Sequence, residues 1–266
     1  MSVFRADLMQ IEPESYPENA VLLIFHLLLW AHNGTRIHDA PVERHAAPGQ
    51  RQMMIRSFKT PFTRPQLGAY HHGVMQYHYR DVMCNKSPID IALYLHLIHA
   101  VQPGTFIEIG TKFGGSAMMF RDVVRMYGMD TQIVSIDRTP PEVDDRFDGI
   151  RFIEGNVMEL EATFQANDLF KMPRPWILSE DSAHTFDACM SVLESGARHL
   201  HGGEYLIMED SVLAELDLAD RFDGGPSRAL ETFFRERPGV YEIDKTYCDM
   251  FGVNATTNPN GYLRKV

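Results

Sequence analysis

The chain has 266 residues, 44% of them hydrophobic, and a formal net charge of -11. That length suits one large α/β domain with an appendage, and the acidity argues against nucleic acid, whose phosphates attract basic surfaces. Three widely spaced cysteines, Cys84, Cys189 and Cys248, show no zinc-type spacing and cannot all pair, which fits reduced thiols in a cytoplasmic protein.

The first apolar segment is Ala20 to Ala31, AVLLIFHLLLWA. It is far shorter than the roughly 20 residues of a membrane span, and it follows Glu12, Glu14 and Glu18 rather than a basic leader. A buried or subunit-facing helix is expected, stopped at Asn33-Gly34, with His26 and His32 as core or interface histidines. Its wide apolar face argues for a homo-oligomer. From Arg44 to Arg80 there is no Asp or Glu, while Arg44, Arg51, Arg56, Lys59, Arg64 and Arg80 are all basic. Pro48-Gly49, Pro61, Pro65 and Gly68 make this stretch loop-like: a solvated loop, a subunit contact, or a lid over the active site.

Order returns with Lys86-Ser87-Pro88 and Asp90, a helix start, followed by Ile91, Leu93, Leu95, Leu97 and Ile98 on the apolar side. Strand and helix patterns then alternate, the mark of a mostly parallel sheet. Strands are expected at Thr105–Ile109, Gln132–Ile136, Ile150–Ile153, Pro175–Ser179 and Glu204–Met208, with helices at Ser116–Tyr127, Met158–Phe170, His184–Leu200 and Arg228–Arg237. Two late strands, about Tyr241–Asp244 and Tyr262–Val266, complete the pattern. The division is an N-terminal helical and lid-like extension (1–84) and a sheet domain (85–266).

FIEIGTKFGGSAMMF, Phe106 to Phe120, reads as strand, glycine turn and helix, the corner where open α/β sheets take ligands. Its E-x-G-x-x-x-G-G-S spacing lacks the tight G-x-G-x-x-G that seats a diphosphate. Asp137, one strand–helix–strand unit later, is placed to accept the two hydroxyls of a ribose. A ribose without a diphosphate favours S-adenosylmethionine over NAD. Gly155-Asn156 would border the adenine or form a plain turn.

Acids also end the later strands: Asp181, then Glu209-Asp210. Gathered at one sheet edge, such carboxylates are costly without a positive partner, and three of them suit a hard cation such as Mg²⁺. His184, three residues after Asp181, would lie one helical turn from the metal, where it could take a proton from a substrate hydroxyl. A capping role for His184 and for Asp181 is the plainer alternative.

FIEIGTKFGGSA, IVSID, RFIEGN, the D-x-x-H of Asp181 to His184, GGEYLIMEDS and NPNGYLRKV together resemble the cephalosporin hydroxylase / rhamnosyl O-methyltransferase family, from about Lys86 to Val266. The resemblance implies a Rossmann-like methyltransferase fold, with a mostly parallel seven-stranded sheet and helices on both faces. It implies S-adenosylmethionine and Mg²⁺ as cofactors, with Asp181, Glu209 and Asp210 on the metal and His184 as general base. Glu108, Gly110, Thr111, Gly115, Ser116, Asp137, Arg138, Gly155 and Asn156 fall at its cofactor contacts. The expected activity is methylation of a small acceptor with neighbouring oxygens, such as a sugar, glycoside or catechol, in antibiotic biosynthesis. Two other readings are a cofactor-binding subunit without catalysis and an NAD-linked oxidoreductase.

Overall fold

The computed structural model describes residues 56–266. The apolar segment at residues 20–31 and the start of the basic stretch lie outside these residues. The rest of that stretch is not a plain loop. It contains a helix, α1 (Arg64–Val74), because Thr63 and Gln66 close its first turn, the Thr63 N–H donating to Gln66 Oε1 at 2.9 Å. Pro65 lies in that first turn, where a missing N–H costs nothing. A short hairpin follows, β1 (His78–Tyr79) and β2 (Val82–Met83), which the sequence pattern does not announce.

Helix α2 (Pro88–Val101) starts where expected, with the Ser87 hydroxyl accepting from the Asp90 N–H. The sheet strands are β3 (Thr105–Ile109), β4 (Gln132–Asp137), β5 (Ile150–Glu154), β6 (Trp176–Glu180), β7 (Tyr205–Met208), β8 (Tyr241–Ile243) and β9 (Tyr262–Lys265). They order as β5-β4-β3-β6-β7-β9-β8, seven strands with β9 alone antiparallel to its neighbours. From β3 the chain steps outward to β4 and β5, then returns to β6 and steps the other way to β7. Right-handed crossovers therefore place the helices of the two halves on opposite faces, with the switch point between β3 and β6.

Two expected helices are trimmed. The segment after β5 is a 3-10 turn (Val157–Glu159) and a short helix, α4 (Leu160–Ala166), ended by Asn167 and by Asp168 at φ 56°. The helix expected from His184 begins at Phe186, as α5 (Phe186–His199), because Thr185 takes the N-cap and accepts from the Ala188 N–H. Helix α3 (Gly115–Met126) follows the glycine turn and α6 (Gly225–Glu236) precedes β8.

The core around the switch point is aromatic. Phe106 stacks on Phe120 at 4.2 Å, and Tyr94 of α2 meets Phe120 edge-on at 4.8 Å. Each such fully buried ring contributes about 1.5–3 kcal/mol. This packing presses α2 against the sheet and aims its polar N-terminal residues at the strand ends.

Candidate active site

The carboxyl ends of β3 to β7 open into a cleft of about 800 Å³. Gly110, Thr111, Ser116, Asp137, Arg138, Gly155, Asn156, Asp181, His184 and Asp210 all line it. Glu108, Gly115 and Glu209 do not. They lie behind the wall, and each shapes it from there.

Gly110 leaves β3 at φ 103°, and a Cβ there would fall 2.0 Å from the Asp181 carbonyl oxygen. Only glycine lets the two central strand ends come this close. A Cβ on Gly115 would meet the Met83 carbonyl at 2.3 Å, so this glycine seats the hairpin against α3.

Asp137 organises the turn. Its Oδ2 accepts from the Thr111 and Lys112 N–H groups at 2.9 and 3.0 Å, and its Oδ1 accepts from the Thr139 N–H at 2.9 Å. The Asn156 side chain caps the 3-10 turn through the Met158 N–H at 3.1 Å. Behind them, Glu108 Oε2 accepts from the Ser135 hydroxyl at 2.7 Å, while its Oε1 is buried without a partner. Burial pushes the Glu108 carboxyl up to about 7, with Lys86 pulling it back.

Asp181, His184 and Asp210 each bring a potential ligand atom within 4.8 Å of the others. His184 reaches this group not from a helix but from a loop, at φ 54°. Its Nε2 lies 3.6 Å from Asp181 Oδ1 and 3.5 Å from Asp210 Oδ2, its Nδ1 is buried without a partner, and Phe222 packs edge-on at 5.8 Å. Lys112, His184 and Asp210 are non-glycine residues at φ 50°, 54° and 53°, all lining the cleft. Strained backbone of this kind gathers at functional sites.

Glu209 faces the other way. Its Oε1 accepts from the Tyr94 hydroxyl at 2.7 Å and the Ser179 hydroxyl at 2.5 Å, and its Oε2 accepts from Lys86 Nζ at 2.7 Å. Lys86, only 1% exposed, also donates to Asp181 Oδ2. Burial alone would push this lysine down, yet the Asp181 and Glu209 carboxylates outweigh it and hold the ammonium well above its ordinary value. Lys86 and Tyr94 are the site residues that sequence reasoning missed. Lys86 read only as part of a helix start, and Tyr94 carried no signal of its own.

The two partly open carboxylates of Asp181 and Asp210 suit a hard cation, with the His184 imidazole beside them, while the Lys86 ammonium offsets the charge of the acids from behind. The cleft beside it has room for a nucleoside, with a glycine cradle at Gly110 and a carboxylate at Asp137.

The family model described as "Rhamnosyl O-methyltransferase/CmcI" matches residues 72–266. The chain belongs to this family of S-adenosylmethionine-dependent methyltransferases. A rhamnosyl O-methyltransferase of Mycobacterium leprae (strain TN) is 31% identical over 185 residues, 68% of this chain and 80% of the relative. One from Mycobacterium bovis (strain BCG / Pasteur 1173P2) is 28% identical over 189 residues, 70% of this chain and 76% of the relative. Among solved structures, an apo form of CmcI matches with a TM-score of 0.58 at 23% identity, covering 90% of this chain and 95% of that one. A CmcI structure with Mg and S-adenosylmethionine matches with a TM-score of 0.57 at 22% identity, covering 88% and 90%. These likenesses establish the Rossmann-like methyltransferase fold. Every residue singled out for the site lies within the family span, which takes in the hairpin and the end of α1 as well.

Proposed function

We propose that this chain is an S-adenosylmethionine- and Mg²⁺-dependent O-methyltransferase that methylates a hydroxyl of a sugar or glycoside, in the assembly of a natural product such as an antibiotic. The observation that carries the reading is the convergence of Asp181, His184 and Asp210 beside the Gly110 cradle, in one cleft. The relatives named rhamnosyl O-methyltransferases support it, as does the CmcI structure with Mg and S-adenosylmethionine.

Asp181 and Asp210 would hold the cation, and Gly110, Thr111, Ser116, Asp137, Arg138, Gly155 and Asn156 would surround the methyl donor, with Glu108 behind that wall. When bound, the two groups supply a Lewis acid that lowers the pKa of an acceptor hydroxyl and a methyl on a sulfonium. His184 Nε2 accepts the hydroxyl proton, and the neighbouring Asp181 and Asp210 carboxylates stabilise the imidazolium so formed. Leu213, Leu218 and Phe222 line the cleft, Phe222 edge-on to His184, and would keep water from the acceptor. Holding donor and acceptor in line is worth about 7–11 kcal/mol of barrier, so positioning by these walls is the larger share of the work.

The test is transfer of a labelled methyl group from S-adenosylmethionine to a panel of glycosides and phenols, with chelator and with Mg²⁺ restored. Transfer to a sugar hydroxyl that chelator stops and Mg²⁺ restores is the expected result. Transfer indifferent to chelator, or none to any hydroxyl, would overturn the reading.

A further inference from the structure

Helix α1 gives the cleft one of its walls. Leu67 and Val74 are its buried residues, and His71, one turn from each, shares their face. His71, Val74 and Met75 line the cleft in consequence. The helix is tied down around them. The Thr60 N–H donates to Glu215 Oε1 at 2.8 Å, Arg64 pairs with Asp217, and the Ile89 N–H donates to the Tyr70 hydroxyl at 3.3 Å. Just upstream, Asn254 Nδ2 donates to the Ser57 carbonyl at 2.7 Å. The stretch that reads from sequence as a loop or lid thus holds its cleft residues in fixed places.

His71 is the polar member of this wall. It is half-buried, and its ring has no hydrogen bond or ion pair among the described residues, whereas the ring of His72 meets Gln76 Nε2 at 2.8 Å. It lies close enough to Asp210 for its charge to act on that carboxyl, yet stands outside the group of Asp181, His184 and Asp210. Such a ring is free to bond with whatever fills the cleft, and ligand clefts owe their selectivity to a few polar groups of this kind. The matched family span begins at residue 72, one position later, so the group belongs to this chain's own wall.

We propose that His71 is an acceptor-recognition residue, its imidazole hydrogen-bonding a third oxygen of the acceptor beyond the two neighbouring oxygens that face the cation. The inference rests on the metal-dependent reading above and deepens it by naming the acceptor class. That class is a sugar with at least three hydroxyls, not a catechol, which has no third oxygen to offer. A site built to hydrogen-bond a substrate hydroxyl rejects an analogue that lacks it. The hydroxyl proton still goes to His184, and His71 sets which acceptor is held there.

The experiment follows labelled-methyl transfer by the full chain to a para-nitrophenyl rhamnoside, which has three hydroxyls, and to catechol, which has two. Mn²⁺ affinity is read by electron paramagnetic resonance and S-adenosylhomocysteine affinity by calorimetry. In His71→Ala the rhamnoside KM rises at least tenfold with kcat within threefold, and selectivity for rhamnoside over catechol falls with it. His71→Gln, which keeps a hydrogen-bonding side chain, brings KM back to within threefold of wild type. Both variants hold Mn²⁺ and S-adenosylhomocysteine within twofold of wild type. Where wild type does not accept catechol, the rhamnoside KM alone decides. Should His71→Ala not fold, His71→Met carries the same expectation. An unchanged rhamnoside KM overturns the proposal, as does an equal loss on both acceptors. So does a change in Mn²⁺ affinity beyond twofold, which would put the action of His71 on Asp210 instead. If wild type methylates neither probe, the O-methyltransferase reading falls as well, and if it methylates catechol alone, the sugar falls together with His71. If it methylates the rhamnoside and the variants match it, only the role of His71 falls.

Discussion

Glu180 ends β6 with no exposure to solvent, its Oε1 accepting from the Ser182 N–H at 3.3 Å and the Ser182 hydroxyl at 2.7 Å. Its Oε2 is buried without a partner, and burial pushes the carboxyl from 4.5 up to about 7. Because the folded value lies above the unfolded one, the folded protein keeps a proton that the unfolded chain releases between pH 4.5 and 7. The stability this group contributes is complete below pH 4.5 and is lost as pH rises through 7. A gap of about 2.5 units corresponds to about 3 kcal/mol. Glu180→Gln keeps an oxygen for Ser182 and removes the charge. Urea unfolding of the metal-free protein should find the variant level with wild type near pH 4.5 and about 3 kcal/mol more stable at pH 8. Glu108 remains in both proteins, so each keeps a residual decline and the difference isolates Glu180. Parallel stability curves across this range would refute the reasoning.

Three further outcomes follow from the geometry. His184→Gln should lower turnover by roughly 10²–10⁴-fold while leaving S-adenosylhomocysteine affinity unchanged, read by labelled-methyl transfer and calorimetry. Gly110→Ala would force a Cβ into the Asp181 carbonyl and should abolish cofactor binding or folding, checked by circular dichroism and calorimetry. Tyr94→Phe removes the hydroxyl from Glu209 and Ser179 in a dry interior, and should cost about 1–3 kcal/mol in urea unfolding.

The sheet was legible because its strands are apolar runs ending in acids or glycine, and β3 to β7 begin and end within a residue or so of expectation. The ligand corner was legible in the E-x-G-x-x-x-G-G-S spacing, and the structure brings Asp181, His184 and Asp210 together in the same cleft. The direction in which Glu209 faces was not legible. Adjacent acids at a strand end point to opposite sides, and which one faces the cleft depends on what lies beneath the other. Here that is Lys86, more than 120 positions earlier in the chain. The helix-borne histidine failed for a local reason, because Thr185 is the better N-cap and leaves His184 in the left-handed loop before it. Helix α1 was hidden by its own proline and glycines, since Pro65 reads as a breaker unless its first-turn position is known.

Strand β9 lies between β7 and β8, although both precede it in the chain, and every residue from Asn254 to Leu263 is buried. During synthesis the ribosome must therefore deliver this segment before the sheet can close, and Asn258, whose Oδ1 accepts the Asp210 N–H, arrives with it. A nascent chain halted near residue 250 would hold all its proposed catalytic groups but lack the wedge that sets them, leaving β7 with a bare, sticky margin. Proteolytic trimming back past Asn254 should accordingly silence the protein and drive it to aggregate.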